Sequence, residues 1–138
     1  MVYGQSISEQ DWWLEVKRDI INRFPNARII MENKAIGGFS SSILVKTVEM
    51  DVNSFYPDLV FFHVYGDQNN YESIIKTIRS RTAAEIVLQT DHYNKKDEFS
   101  DKMANEILPA LAQKYGCEVI DIRSAWKHYL DVNGYEPS

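Results

Sequence analysis

Short runs of apolar residues alternate along this chain with segments whose apolar residues recur every three or four positions. The runs predict five β-strands, at residues 1–3, 27–31, 59–64, 85–89 and 118–122. They are almost continuous in apolar residues, which is typical of strands buried on both faces of a parallel sheet. The sequence therefore predicts a sheet whose two faces are both covered.

Helical patterns fill the segments between these runs. Apolar residues at helical spacing run through 13–24, 44–55, 74–78 and 103–115, and a short fifth helix is predicted over 124–130. Pro109 lies within the fourth pattern and should kink or shorten that helix, because proline cannot donate a backbone hydrogen bond. Alternating strands and helices indicate βαβ units with right-handed crossovers. We predict an α/β fold, a three-layer α/β/α sandwich with a flavodoxin-like, parallel five-stranded sheet.

Composition narrows the class of protein. The 138 residues show no repeat or linker and predict one domain over 1–138. A net charge of −5 argues against nucleic-acid binding, which needs clustered Lys and Arg. Cys117 is the single cysteine, so we expect no intrachain disulfide, no metal site and no cofactor. No apolar run approaches the roughly 20 residues of a membrane span, so we expect no membrane partner. The start of the sequence is unlike a signal peptide, and the sequence does not indicate a cellular compartment.

Polar residues follow each predicted strand. In parallel α/β sheets, ligands bind beyond the carboxyl ends of the strands, so these segments are the candidates for a site. In chain order they are Gly4-Gln5-Ser6, 33–42, 65–70, 90–93 and Arg123-Ser124.

The first two of these segments resemble motifs of the GDSL, or SGNH, hydrolases. These are serine esterases and lipases on a flavodoxin-like sheet, and many of them deacetylate carbohydrates. The run Gly4-Gln5-Ser6-Ile7-Ser8 is similar to the family's Gly-Asp-Ser block, with Gln5 in place of the aspartate. The resemblance implies that Ser6 is the nucleophile. Residues 33–38 resemble the block that runs from an asparagine to a glycine, which implies that the Gly38 N–H serves the oxyanion hole.

The third segment matches the family less well. Residues 57–60, Pro-Asp-Leu-Val, lead into a loop that carries no clear Gly-x-Asn-Asp motif. The resemblance then implies that Gln68 or Asn69 stands in as the side-chain donor of the oxyanion hole. We expect Gln5 and Asp67 to contact the substrate.

The family's Asp-x-x-His block, which supplies the base and its orienting carboxylate, has no match before Ser138. We therefore expect the base and a closing helix to lie beyond this sequence, and further residues to precede it. Alone, the chain should be inactive or nearly so. His92 follows the fourth strand beside Asp91, and we expect both to contact substrate. His92 could also substitute for the base, or form half of a metal site with Asp91, although no further ligands support the metal.

Plain structural interpretations remain open beside these. Ser6 and Glu9 fit a capping box, the glycines could simply make a turn, and residues 67–70 could cap the third helix. The predicted function is hydrolysis of acyl esters, above all acetyl esters, of carbohydrates or small molecules. One alternative is a non-catalytic carbohydrate- or ligand-binding module on the same fold. Another is a flavodoxin-like domain that binds phosphate or a nucleotide through residues 37–42. An apolar face left uncovered on the sheet would favour a homodimer.

Overall fold

The computed structural model describes residues 1–137, and the chain divides into two compact units. The first unit is Met1–Ala84 and the second begins at Glu85. Each unit combines one pair of parallel strands with helices. That the two units make one domain stays a prediction.

The first unit carries the predicted nucleophile. Its elements are β1 (Val2–Gly4), α1 (Ser6–Glu9), α2 (Trp12–Arg23), α3 (Ser41–Val48), β2 (Leu59–His63) and α4 (Gln68–Arg81), with a π-helical turn at Glu49–Asn53 after α3. Strands β1 and β2 are parallel, with Val2 opposite Phe61 and Gly4 opposite His63. Both strands therefore end at the same edge, where Ser6 and the loop after β2 begin.

Aromatic residues form the centre of this unit's core. The rings of Tyr3 and Phe62 lie 5.8 Å apart between centroids, and those of Phe62 and Tyr71 lie 4.6 Å apart. All three residues are buried. The Tyr3 hydroxyl donates to the carbonyl of Leu44 at 3.3 Å, and burial raises the pKa of Tyr3 to about 12. This contact ties β1 to α3 and holds the strand that delivers Ser6.

The strand predicted at residues 27–31 is wrong. Ile30 is 64% exposed there, and the pairing with β1 occurs further along the chain, as a single bridge between Val2 and Asn33. Val2 N–H donates to Glu32 at 2.9 Å, and Lys34 N–H donates to Val2 at 2.8 Å. The register follows these backbone bonds and not the apolar run. Residues 1–137 therefore contain four strands instead of the five predicted.

The second unit contains β3 (Glu85–Gln89), α5 (Glu98–Lys102), α6 (Leu108–Tyr115), β4 (Glu118–Ile120) and α7 (Ile122–Asn133), with a π-helical turn at Met103–Ile107 between α5 and α6. Strands β3 and β4 are parallel, with Val87 opposite Glu118. The bounds predicted for β3 are confirmed. Pro109 is the second residue of α6 and follows the π-helical turn, and the predicted kink or shortening at this proline stays a prediction. None of the helices within residues 1–137 is long and apolar enough to cross a membrane.

Two aspartates cap helices of the second unit. Asp97 Oδ1 accepts from the Ser100 N–H at 3.0 Å at the start of α5, and Asp121 Oδ1 accepts from the Ser124 N–H at 3.0 Å at the start of α7. Burial alone would raise the pKa of both carboxyl groups. The serine hydrogen bonds and the positive charge of Arg123 outweigh burial, so the pKa of each lies below its ordinary value.

These lowered pKa values predict a loss of stability in acid. A carboxyl group whose pKa is lower in the folded state stabilises the fold above its unfolded pKa of about 4, and this contribution is lost as the pH falls through the folded pKa. The double variant Asp97→Asn with Asp121→Asn should therefore be less stable than wild type above pH about 4, and the difference should shrink as the pH falls below that value. Urea unfolding measured across this range tests the prediction, and a difference independent of pH would contradict it.

Candidate active site

Ser6 lies on a tight turn between β1 and α1. The turn depends on Gly4, since a Cβ placed there would overlap the carbonyl oxygen of His63 on β2. Ser6 is exposed as the first residue of α1, and its hydroxyl makes no hydrogen bond with the described residues of its unit. Gln5, and not Ser6, is the N-cap residue, and no side chain caps this helix. The capping box with Glu9 is therefore not formed, and the Ser6 hydroxyl is available for chemistry.

A glycine turn lies beside Ser6. Phe39 N–H donates to the carbonyl of Ile36 at 3.3 Å, which closes a turn around Gly37 and Gly38. A Cβ placed on Gly37 would lie 4.0 Å from the Cβ of Ser6, so the turn and the serine are neighbours. Gly38 has φ of +81°, a conformation that favours glycine.

The backbone N–H groups of Gly37, Gly38 and Phe39 differ in whether they have a hydrogen-bond partner. Gly37 N–H donates to Glu9 Oε2 at 2.8 Å, and Phe39 N–H is used within the turn. Gly38 N–H makes no hydrogen bond with any residue from 1 to 137, and a Cβ placed on Gly38 would meet no atom within 4 Å. An unpaired amide in open space beside a serine is what an oxyanion hole needs. Glu9 was missed as a site residue, because the sequence placed it only in the capping box.

Asn33 joins this loop to the Ser6 helix. Its Nδ2 donates to the carbonyl of Ser8 at 2.7 Å, and its Oδ1 accepts from Ala35 N–H at 2.9 Å. Ser8 itself is the buried residue of α1. The asparagine that opens the second motif therefore acts here as a structural link between α1 and the loop that carries the glycines.

The loop after β2 caps α4, and its side chains make no hydrogen bond to Ser6 within this unit. Asp67 is the N-cap of α4, and its carboxylate accepts from Asn70 N–H at 3.0 Å and from Asn70 Nδ2 at 2.6 Å. The capping interpretation of this segment is thus correct for Asp67. Gln68 and Asn69 are exposed in the first turn of α4, and no hydrogen bond joins either side chain to Ser6 within this unit. Their role as oxyanion donors stays a prediction.

Asp91 and His92 form a hydrogen-bonded pair in the second unit, just after β3. His92 Nδ1 lies 2.8 Å from Asp91 Oδ1, and the same oxygen accepts from His92 N–H at 2.8 Å. The histidine side chain is 51% exposed. A carboxylate at Nδ1 orients the ring and leaves Nε2 to exchange a proton or to contact a ligand, as in the histidine of a serine hydrolase.

Arg123 organises the loop that carries this pair, although the sequence offered it only as part of the segment after the fifth predicted strand. Its side chain is 4% exposed and donates from Nε to Asp101 Oδ1 at 2.7 Å. The guanidinium also donates to the backbone carbonyls of His92 at 2.5 Å, Asn94 at 3.2 Å and Asp97 at 3.2 Å. One side chain therefore satisfies three carbonyls of a loop that has no regular structure.

Replacing Arg123 by methionine should loosen this loop. The variant keeps much of the apolar stem but leaves three carbonyls without their donor, and we expect a loss of about 2–4 kcal/mol in the free energy of unfolding. Arg123→Lys keeps the charge but not the forked geometry of the guanidinium. Its free energy of unfolding should lie between those of wild type and Arg123→Met. Urea unfolding, together with hydrogen exchange over residues 91–97, measures the effect. Equal stability of wild type and Arg123→Met would show that the hydrogen bonds of Arg123 to this loop do not stabilise the fold.

Two further features lie outside this arrangement. No group of three or more His, Cys, Asp or Glu in residues 1–137 could hold a metal ion. A cavity of about 430 Å³ in the first unit is lined by Met1, Leu59 and residues of the 28–31 and 55–58 segments. Met1 precedes β1 and Leu59 opens β2, so this cavity is at the amino ends of the strands, away from Ser6.

Solved structures show which fold this is. A variant of Axe2, an acetyl-xylooligosaccharide esterase from Geobacillus stearothermophilus, matches with a TM-score of 0.84 at 15% identity, over 99% of this chain and 85% of that chain. A catalytic mutant of Axe2, described as an acetylxylan esterase, matches with a TM-score of 0.83 at 18% identity, over the same shares. The chain therefore shares the fold of these esterase structures, as the predicted resemblance implied. LAE5, an α/β hydrolase from the metagenome of Lake Arreo in Spain, matches with a TM-score of 0.74 at 17% identity, over 94% of this chain and 79% of that chain.

These likenesses confirm the predicted resemblance and the α/β fold class, and the part of the chain that the structure describes has four strands where five were predicted. No model of a known protein family matches the chain, and no curated protein sequence matches it either. Catalytic mutants of Axe2 at a serine, an aspartate and a histidine are among the matched structures.

Proposed function

We propose that this chain is the core of an SGNH-type serine esterase that removes acyl groups, above all acetyl groups, from carbohydrates or small molecules. The observation that carries the proposal is the pairing of an unengaged Ser6 hydroxyl with the unpaired Gly38 N–H on the neighbouring turn. The names of the solved neighbours, which are esterases of acetylated xylan and xylo-oligosaccharides, support the choice of substrate.

The geometry suits attack on an ester carbonyl. Ser6 Oγ adds to the carbonyl carbon, its proton passes to a base, and the carbonyl oxygen becomes an oxyanion. Gly38 N–H would stabilise that oxygen together with the N–H of Ser6. Collapse of the intermediate expels the alcohol and leaves an acyl-serine, which water then hydrolyses to the free acid.

The identity of the general base that accepts the Ser6 proton is the step of the proposed mechanism that an experiment must decide. A serine hydroxyl is a weak nucleophile at neutral pH unless a base accepts its proton. Ser6 receives no such contact within its unit, so we expect slow turnover by this chain and acceleration by added imidazole. His92, already oriented by Asp91, is the residue whose removal tests for a base within the chain.

Acetate release from an acetylated xylo-oligosaccharide measures the proposed activity directly. Alkyl acetates react slowly with free imidazole, so the rate with protein can be separated from the rate without it. We expect release that saturates with substrate and increases with imidazole. Rapid release without imidazole that is lost in His92→Ala would assign the base to His92.

A non-catalytic binding module is the second candidate, and one observation favours it. The Asp67 carboxylate accepts from Asn70, and no hydrogen bond joins the side chain of Gln68 or Asn69 to Ser6 within this unit, so the loop of the third motif is arranged as a helix cap. Calorimetric binding of the same oligosaccharide without acetate release at any imidazole concentration would support the module and overturn the esterase. Absence of both binding and release would overturn both candidates.

A further inference from the structure

Gln5 occupies a position between two loops. It precedes Ser6 and is the N-cap residue of α1, yet its side chain does not cap that helix. The amide lies between the carbonyl of Phe39 and the N–H of Tyr65. In the orientation that satisfies both groups, Nε2 donates to Phe39 at 2.8 Å and Oε1 accepts from Tyr65 at 3.3 Å.

The two loops that Gln5 joins are those of the second and third motifs. Phe39 closes the turn around Gly37 and Gly38, and Tyr65 precedes the cap of α4. A second tether runs between the same loops, because Ser41 N–H donates to the carbonyl of Tyr65 at 3.0 Å. Gly66 allows this approach, since a Cβ there would overlap the Ser41 side chain.

An amide suits this position better than a carboxylate. The side chain must donate to one backbone carbonyl and accept from one backbone N–H at the same time, and a glutamine amide has both groups. An ionised carboxylate only accepts, so it would place a negative charge against the Phe39 carbonyl. An aspartate would also be one methylene shorter. The glutamine in place of the motif's aspartate therefore has a structural use in this chain.

We propose that Gln5 is a positioning residue that holds the Gly38 turn in register with Ser6 and with the loop before α4. This inference rests on the proposed function for its catalytic consequence, but not for the contacts themselves. Glu9 binds the turn at Gly37 and Gln5 binds it at Phe39, so the turn is anchored on both sides of the unpaired Gly38 N–H. Gln5 was predicted to contact the substrate, and this geometry assigns its amide to the protein instead.

Gln5→Met tests the inference, because it keeps the length of the side chain and removes both hydrogen bonds. Loss of one backbone partner should accelerate amide exchange at Tyr65 about tenfold, with faster exchange across residues 36–41 as well. Exchange in the middle of α4 should stay unchanged, which separates a local effect from lower stability. Gln113→Met, an exposed glutamine on α6, is the matched control.

Gln5→Glu separates the two bonds. It can still accept from Tyr65 but cannot donate to Phe39, so Tyr65 should stay protected while residues 36–41 exchange faster. Should Gln5→Met fail to fold, this variant carries the test. Unchanged exchange at residues 36–41 in Gln5→Glu, or at Tyr65 in a folded Gln5→Met, would overturn the positioning role.

The effect of Gln5→Met on catalysis is measured in a separate experiment. Where wild type releases acetate, Gln5→Met should lower kcat about tenfold with little change in KM, since the turn holds the oxyanion and not the ground-state substrate. A rise in KM at constant kcat would instead return Gln5 to substrate contact. If wild type releases no acetate but Tyr65 exchange responds to Gln5→Met, the proposed function fails and the positioning role stands.

Discussion

Ser6→Ala should reduce imidazole-stimulated acetate release from an acetylated xylo-oligosaccharide by a factor on the order of 10² or more, to the level of the protein-free control. The variant removes the hydroxyl that would form the acyl-serine, while the Gly38 N–H and the fold remain. Imidazole cannot replace the lost oxygen, so the rate should stay at the background at every imidazole concentration. The measurement is free acetate against time for wild type and variant at equal protein concentration.

Ser80→Ala is the matched control for this experiment. Ser80 is exposed near the end of α4 in the same unit, and its hydroxyl donates only to the carbonyl of Thr77 at 2.7 Å. Its loss should leave acetate release unchanged. Equal rates for wild type and Ser6→Ala would show that Ser6 is not the nucleophile, whatever the fold resembles.

Gly4→Ala should give the largest loss of stability of any single methyl added to the chain's turns. The new Cβ would overlap the carbonyl oxygen of His63, so β1 and β2 could not keep their register at the edge that carries Ser6. Overpacking against backbone, which cannot rotate away, should cost about 3 kcal/mol or more. Urea unfolding followed by circular dichroism measures the free energy of unfolding of each protein.

Gly116→Ala separates steric overlap from backbone strain. Gly116 has φ of +62° at the end of α6, and a Cβ there would meet no atom within 4 Å. Its replacement should therefore cost only the left-handed conformation of alanine, about 1–2 kcal/mol. A Gly4→Ala variant no less stable than Gly116→Ala would mean that the His63 carbonyl does not lie close enough to Gly4 to exclude a methyl group.

Local sequence signals predicted the parts of the fold that depend on one segment at a time. The apolar run at Glu85–Gln89 became β3 with the predicted bounds. The same reasoning failed at residues 27–31. There the apolar run resembles a buried strand, but β1 pairs instead with the polar residues around Asn33. An apolar run marks a segment that could be buried, but which residues pair also depends on the backbone groups of the partner strand, and these lie elsewhere in the sequence.

For the candidate site too, some features follow from the sequence and others only from the tertiary structure. The sequence by itself determined that Ser6 follows a strand, that a glycine turn follows the next segment, and that the chain resembles an SGNH hydrolase. Only the tertiary structure decided how the polar groups are shared, because each partner lies far along the chain: Gly37 with Glu9, Gln5 with Phe39 and Tyr65, and Arg123 with the loop of His92. Residue type specifies what a side chain can donate or accept, and folding decides which backbone groups remain unpaired for catalysis.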